Sequence, residues 1–249
     1  MKKICYQILF TGAPRGGKSF FCEKMAREYA RAGKIPLVYN TGKPSDFEDF
    51  EYIKIMSLQF HEQQLTDAKE KQDFRMYPEL KYFEFRGMVW EIKDFCEVCK
   101  GCKIKMNKIQ NARLERLFFQ SVSDYFAGVF LILEDTRSLF RHGLKEELTY
   151  LLSRINHTGE KRKDSKRGTD VALLFHSLDF VNAEFYIYIT HMVMFHNPSR
   201  PNLKNKVEDE ELKQTILEAW ETVKNLPKYS RAEIALSNPQ IFKTFKPKN

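Results

Sequence analysis

The chain has 249 residues, of which 43% are hydrophobic and 30% charged, and its formal net charge at pH 7 is +8. This composition predicts a folded chain with a large buried core and excludes a fibrous or disordered protein. The basic charge permits a polyanionic partner such as nucleic acid. No apolar run approaches the roughly 18–20 residues that a membrane span needs, so we expect no direct membrane span.

The stretch ILFTGAPRGGKSFF, residues 8–21, places a glycine-rich turn between a predicted strand at 4–10 and a predicted helix at 19–32. It fits the Walker A pattern G-x-x-x-x-G-K-[ST], in which backbone N–H groups and the helix end surround phosphate oxygens. Lys18 is predicted to reach the β- and γ-phosphates, and Ser19 to bind Mg²⁺. The predicted nucleotide-binding residues are Gly12, Ala13, Pro14, Arg15, Gly16, Gly17, Lys18, Ser19 and Phe20.

The rest of the chain alternates between predicted strands and helices, as in a nucleotide-binding α/β sheet. We predict further strands at 35–40, 51–57, 129–133 and 170–177, and a short helix and the final strand within 183–197. Helices are predicted at about 109–126, 144–157 and 208–226. Residues 58–108 are interpreted as an insert of uncertain structure. The expected organisation is a P-loop ATPase domain at 1–205, with a helix and basic tail at 206–249 packed on it.

An acidic pair follows the most hydrophobic predicted strand, in the sequence FLILED at 130–135. P-loop enzymes use a carboxylate on a neighbouring strand for Mg²⁺, in the element called Walker B, and often a second one to polarise the attacking water. Glu134 is assigned the metal role and Asp135 the base role. The usual order in this element is Asp then Glu, so the reversed order leaves open which of the two residues binds the metal and which acts as the base.

The segments after this pair are similar to those of the HerA–FtsK superfamily of DNA-pumping ATPases. In that group a helix with Arg or His that ends in Gly precedes a strand ending in a polar sensor, usually Gln. Here Arg154, His157 and Gly159 match the helix end, and His176 stands at the sensor position. The sequence MFHN at 194–197 resembles the last strand. The resemblance covers roughly residues 4–57 and 115–198, and is greatest to packaging ATPases of tailless, membrane-containing viruses and to Zot-like phage assembly proteins.

The resemblance implies a three-layer α/β fold of the RecA-like type, with a central, mostly parallel sheet and a helical C-terminal tail. It also implies ATP hydrolysis in a ring, a hexamer in this group, in which an arginine from one subunit completes the site of the next. Candidates for that arginine are Arg137, Arg141 and Arg154, of which Arg154 occupies the matching position. The expected partners are DNA and capsid or portal-vertex proteins, in the host cytoplasm or at the virion vertex.

A basic loop lies between the Arg154 helix and the strand that ends at His176. In a ring translocase such a loop tracks DNA phosphates without reading bases, whereas elsewhere a charge run is usually a solvated surface loop. The predicted DNA-binding residues are Lys161, Arg162, Lys163, Lys166 and Arg167.

Cys96, Cys99 and Cys102 form two overlapping C-x-x-C spacings. They suit a structural zinc ion (Zn²⁺) if a fourth ligand such as His61 or His142 joins them, and they are otherwise reduced thiols. Cys5 and Cys22 lie in apolar surroundings and are predicted to be core residues.

Three other functions fit parts of the sequence. A Zot-like assembly or extrusion ATPase would need a membrane anchor or a membrane-bound partner. A nucleotide-gated scaffold would bind ATP and oligomerise without turnover, in keeping with the reversed acidic pair and with His176 in place of Gln. A small-molecule kinase is less favoured, because the sequence shows no lid-like arginine cluster.

Overall fold

A computed structural model describes residues 5–32, 34–40, 83–86, 119, 128–134, 136–141, 143–158, 168–236 and 242–247. The strands are β1 (Gln7–Thr11), β2 (Ile35–Asn40), β3 (Phe83–Arg86), β4 (Val129–Leu133), β5 (Thr169–Phe175), β6 (His191–Phe195), β7 (Arg231–Ala235) and β8 (Phe242–Phe245). The helices are α1 (Lys18–Arg31), α2 (Thr136–Arg141), α3 (Lys145–Ser153) and α4 (Glu210–Lys224). Single 3₁₀ turns span Ile155–His157, Leu178–Phe180 and Ala183–Phe185.

The described strands form one sheet in the order β3-β2-β4-β5-β1-β6-β7-β8. The pairs from β3 to β6 are parallel, and only the β6–β7 and β7–β8 pairs are antiparallel. The predicted mostly parallel sheet is therefore confirmed. Because β5 lies between β1 and β4, the loops after these three strands emerge side by side at one edge of the sheet, here called the carboxyl edge.

Helices cover both faces of the sheet, which makes the predicted three layers. On one face α1 packs Cys22 and Ala26 against Phe130 and other strand residues. On the other face α2, α3 and α4 pack on a second set of strand residues that includes Leu131. All five residues of β4 are buried, as expected for a central strand covered on both sides. Cys5 and Cys22 are both buried, as predicted.

Two parts of the sheet lie outside the strands that the sequence predicts. Four residues of the segment interpreted as an insert form β3, which pairs in parallel with β2. The prediction that the strand within 183–197 is the last one is wrong, since β7 and β8 follow α4 and extend the sheet. In β7 buried residues alternate with partly exposed ones, so this strand is amphipathic and resembles a polar tail in sequence.

The predicted C-terminal helix is confirmed as α4. The predicted strand at 51–57 lies outside the described residues, as does the 109–126 helix except Phe119.

One buried hydroxyl continues the hydrogen bonding at the carboxyl edge beyond the end of β4. Thr136 donates to the carbonyl oxygen of Leu133 at 2.9 Å and accepts from the backbone N–H of Leu174 at 3.1 Å. The side chain thus satisfies a β5 amide that β4 is too short to reach. It also fixes the start of α2 relative to β5, close to Glu134, which follows β4.

Replacing Thr136 by Val should lower the free energy of unfolding by about 1–3 kcal/mol, because the buried Leu174 N–H loses its acceptor. Thr149→Val is the matched control, since Thr149 bonds a carbonyl of its own helix, α3. Its effect should stay within about 0.5 kcal/mol. Denaturant unfolding measures both, and equal losses in the two variants would contradict this role for Thr136.

Candidate functional site

The glycine-rich loop after β1, residues 12–17, is fixed to the end of β6. The N–H of Ala13 donates to the carbonyl of His196 at 3.1 Å, and the N–H of Gly16 donates to the carbonyl of Ala13 at the same distance. Gly12 has φ +150°, and a Cβ there would lie 2.7 Å from Cβ of Phe195. The loop therefore needs glycine at its first position because β6 lies directly against it.

The loop leads into the amino-terminal end of α1. The first turn of α1 contains no acidic residue, so no side-chain carboxylate there offsets the positive end of the helix dipole. The ammonium of Lys18 donates to the carbonyls of Gly12 and Ala13, at 2.8 and 2.9 Å. Lys18 is only 6% exposed, and burial lowers its pKa to about 8, with the nearby Glu134 acting in the opposite direction. A cation, a helix end and a glycine-rich backbone are the groups from which anion-binding sites in proteins are built.

The carboxylate of Glu134 reaches the start of α1 from the end of β4. β1 and β4 are separated by β5, so the two strands lie about 10 Å apart. Ser19 on the first turn of α1 spans that gap and donates from Oγ to Oε1 of Glu134 at 2.9 Å. A hydroxyl and a carboxylate oxygen thus meet beside Lys18. Oxygen pairs of this kind are ligands that Mg²⁺ prefers.

His176 follows β5 directly, so its backbone emerges between the glycine-rich loop and the end of β4. Its side chain is exposed, and its carbonyl accepts a hydrogen bond from Nδ2 of Asn197 at 3.4 Å. Asn197 also accepts the indole N–H of Trp220 at its carbonyl, at 2.8 Å. The predicted sensor position is therefore connected to the end of β6, which also holds the glycine-rich loop.

Arg154 lies at the opposite edge of the sheet. It caps the carboxyl end of α3, two residues after Leu152. The carbonyl of Leu152 accepts a hydrogen bond from the Gln7 side chain at the start of β1, at 3.0 Å. The seven residues of β5 separate the two edges by about 20 Å. The Arg154 guanidinium donates to the hydroxyl of Tyr150 at 3.0 Å. Arg154 is therefore too distant to reach the glycine-rich loop of its own chain.

The other two candidate arginines lie on α2, which follows the acidic pair. Arg137 stacks on Phe180, with its guanidinium carbon 3.6 Å from the ring centroid. Arg141 ends α2 and is exposed. Arg137 thus connects α2 to the 3₁₀ turn after β5, and it lies nearer to Glu134 in sequence and in the fold than Arg154 does.

Several predicted site residues lie outside the described part of the chain. They are Asp135, the three clustered cysteines Cys96, Cys99 and Cys102, and the basic residues Lys161, Arg162, Lys163, Lys166 and Arg167. Among the residues that the structure does describe, no group of three or more His, Cys, Asp or Glu side chains is placed to hold a metal ion. Within the same residues, no helix combines the length and apolar character that crossing a bilayer requires.

The sequence did not predict two contacts of the glycine-rich loop. The carbonyl of His196 accepts a hydrogen bond from the N–H of Ala13. His196 lies in the MFHN stretch, and the resemblance of that stretch to a known strand end does not indicate this contact. Tyr229 packs beside the loop, and a Cβ on Gly17 would lie 3.2 Å from its Cδ1 atom. No signal in the sequence marks Tyr229, because its position depends on the unpredicted strand β7.

The lowered pKa of Lys18 predicts a pH-dependent stability. An ordinary lysine in the unfolded chain has a pKa near 10.4, so between about pH 8 and 10.4 the unfolded state binds more protons than the folded state. The free energy of unfolding should therefore rise with pH in that window, by up to about 1.4 kcal/mol per pH unit, relative to Lys18→Met. Denaturant unfolding at several pH values measures this. Lys24→Met, which removes an exposed lysine of α1, is the matched control. Parallel curves for wild type and Lys18→Met would contradict the burial of a charged Lys18.

Neither a protein-family profile nor a curated protein sequence matches the chain. Solved structures do match over almost its whole length. The DNA-packaging ATPase B204 from Sulfolobus turreted icosahedral virus has a TM-score of 0.58 and 14% identity, with 98% of both chains covered. The genome packaging NTPase B204 from Sulfolobus turreted icosahedral virus 2, in complex with AMPPCP, has a TM-score of 0.55 and 15% identity at the same coverage. The same NTPase with sulfate has a TM-score of 0.57. The chain therefore has the three-layer α/β fold of these packaging NTPases, as its sequence predicts.

Proposed function

We propose that the chain is an ATP-hydrolysing DNA translocase that packages a viral genome as a ring oligomer. The observation that carries this proposal is the hydrogen bond between Ser19 and Glu134, which forms beside Lys18, directly after the glycine-rich loop. These groups suit a bound triphosphate, and structural neighbours include NTPases in complex with ATP analogues. The net charge of +8 and the basic loop at 160–168 support DNA as the substrate that is moved.

The phosphates of ATP would lie against the backbone of residues 12–17 and the start of α1. Lys18 would leave the carbonyls of Gly12 and Ala13 to contact phosphate oxygens, which offset its burial better than neutral carbonyls do. Mg²⁺ would be held by Ser19 and by Glu134, directly or through water, because their oxygens already converge. When bound, it would neutralise charge on the phosphates during transfer.

Asp135 follows Glu134 and is the proposed base that orients the attacking water. The contact of Glu134 with Ser19 supports the metal role for Glu134, which leaves Asp135 for the water. His176 emerges between the loop and the end of β4, where a side chain can contact the γ-phosphate. Asn197 would then couple that contact to the end of β6 through the carbonyl of His176.

Arg154 is proposed to act on the site of a neighbouring subunit. Its position at the edge opposite Lys18 is compatible with a head-to-tail ring, in which each subunit presents two different surfaces to its two neighbours. Its guanidinium would stabilise charge on the phosphoryl group as it transfers. Hydrolysis would thus depend on assembly. A hexamer, with capsid or portal-vertex proteins as partners at the virion vertex, is the assembly we propose.

We expect DNA to stimulate phosphate release from ATP, and Lys18→Ala, Glu134→Ala and Asp135→Ala each to reduce the rate about 100-fold or more. Lys18 contacts the phosphates, and the two carboxylates serve the metal and the water. Glu218→Ala, which removes an exposed carboxylate from α4, is the control and should keep the wild-type rate. Phosphate release with single- and double-stranded DNA measures this. A rate that no form of DNA raises would count against translocation.

Mixing two inactive variants tests the role of Arg154 across the interface. An Arg154→Ala subunit retains an intact phosphate site, and a Lys18→Ala subunit retains an intact Arg154. In an equal mixture, half of the subunits therefore provide an intact phosphate site and the other half provide an intact arginine. By chance about one quarter of the interfaces regain both parts, and activity should return to about that fraction of the wild-type rate. A mixture that stays as inactive as either variant would overturn the proposed role. Arg200→Ala, at an exposed arginine, is the control and should remain active alone.

A further inference from the structure

An unusual tyrosine lies in the turn that joins α4 to β7. The N–H of Ser230 donates to the carbonyl of Pro227 at 3.0 Å, which closes a four-residue turn. Tyr229 is the third residue of that turn and has φ +72°. Turns with positive φ at this position favour Gly or Asn, because a β-carbon is strained there. The side chain is nevertheless 51% exposed, so burial in the core does not account for the choice of tyrosine.

The turn lies beside the glycine-rich loop and is in contact with three other parts of the fold. Arg231, the first residue of β7, pairs with Phe195 at the end of β6. Its guanidinium carbon lies 4.0 Å from the ring centroid of Phe21 on α1. The Tyr229 ring in turn lies against Gly17, where a Cβ would come within 3.2 Å of Cδ1. The contacts of Arg231 with β6 and α1 thus hold the turn, and with it the strained and half-exposed Tyr229, at the carboxyl edge.

The order of the strands gives the direction in which a bound nucleotide must run. The reacting γ-phosphate belongs near Glu134, on the β4 side of the glycine-rich loop. The nucleoside, at the other end of the triphosphate, must then extend toward the opposite side, where β6 and β7 lie. Tyr229 lies on that side and at the same edge of the sheet.

We propose that the ring of Tyr229 stacks on the base of the bound nucleotide, an inference that rests on the proposed ATP-binding function. Strained backbone conformations persist where the surrounding structure enforces them, and they concentrate at ligand-binding positions. The Tyr229 ring is half-exposed, and Nζ of Lys228 lies 5.1 Å from its centroid. An aromatic ring in such a setting is a stacking platform that accepts any base, with more contact for the larger purines. The site therefore prefers purine over pyrimidine triphosphates, without strict selection between adenine and guanine.

Binding of AMPPCP and of inorganic tripolyphosphate, both with Mg²⁺, separates base contacts from phosphate contacts. Tyr229→Asn keeps a residue that tolerates the left-handed turn and removes the ring. We expect it to raise the Kd of AMPPCP about 5- to 100-fold and to leave that of tripolyphosphate within about twofold of wild type. Tyr229→Phe, which keeps the ring, should bind both ligands as the wild type does. Tyr6→Phe and Tyr6→Asn are the matched controls, because Tyr6 is an exposed tyrosine just before β1, at the edge of the sheet opposite the carboxyl edge.

An unchanged AMPPCP affinity in Tyr229→Asn would overturn the stacking role. An equal loss of affinity for both ligands would also overturn it, since Tyr229 would then shape the phosphate loop alone. Lys18→Ala should lose affinity for both ligands whether or not Tyr229 stacks on the base. A loss of both ligands in Lys18→Ala therefore supports the proposed ATP site even where the role of Tyr229 fails. If the wild-type chain binds neither ligand, the ATP-binding proposal itself fails, and the role of Tyr229 fails with it.

Discussion

Ser19 and Glu134 come within hydrogen-bond distance only because of the order of the strands. β5 separates β1 from β4, and the first turn of α1 crosses the end of β5 to bring a hydroxyl to the carboxylate. The parallel arrangement places the loops after all three strands at one edge. The described groups that the proposed chemistry uses from this chain's own site, namely Lys18, Ser19, Glu134 and His176, lie at that edge, so the sheet topology is the constraint on which the site depends.

The glycine-rich loop is shaped as much by the carboxyl-terminal half of the chain as by its own sequence. The end of β6 accepts the N–H of Ala13 and packs on Gly12, and the turn before β7 packs on Gly17. These contacts hold the backbone of the loop in one geometry, and a preorganised loop lowers the entropic cost of the proposed phosphate binding. The proposed sensor at His176 is tied to the same strand end through Asn197. A change at the proposed γ-phosphate position would therefore have a short structural route to the glycine-rich loop and to α4.

Contiguous patterns made much of this structure predictable. The loop pattern, the strand before it and the helix after it lie within 25 residues, and the fully apolar β4 identifies a central strand from its composition alone. The antiparallel extension of the sheet by β7 and β8 is not predictable in this way. The residues of β7 alternate charged and apolar side chains, and its place in the sheet depends on pairing with β6, some 35 residues earlier in the chain. The turn at Tyr229 is not predictable either, because a positive φ at tyrosine contradicts the local preference of that residue.

The opposite placement of Arg154 and Lys18 makes assembly the central question, because one subunit contains only part of the proposed site. The most direct test is the mass of the assembled particle with DNA, measured with and without AMPPCP and Mg²⁺. A closed ring that forms with nucleotide and is lost in Lys18→Ala is the predicted result. A chain that binds AMPPCP and DNA yet remains a monomer under all of these conditions would contradict an active site shared between subunits.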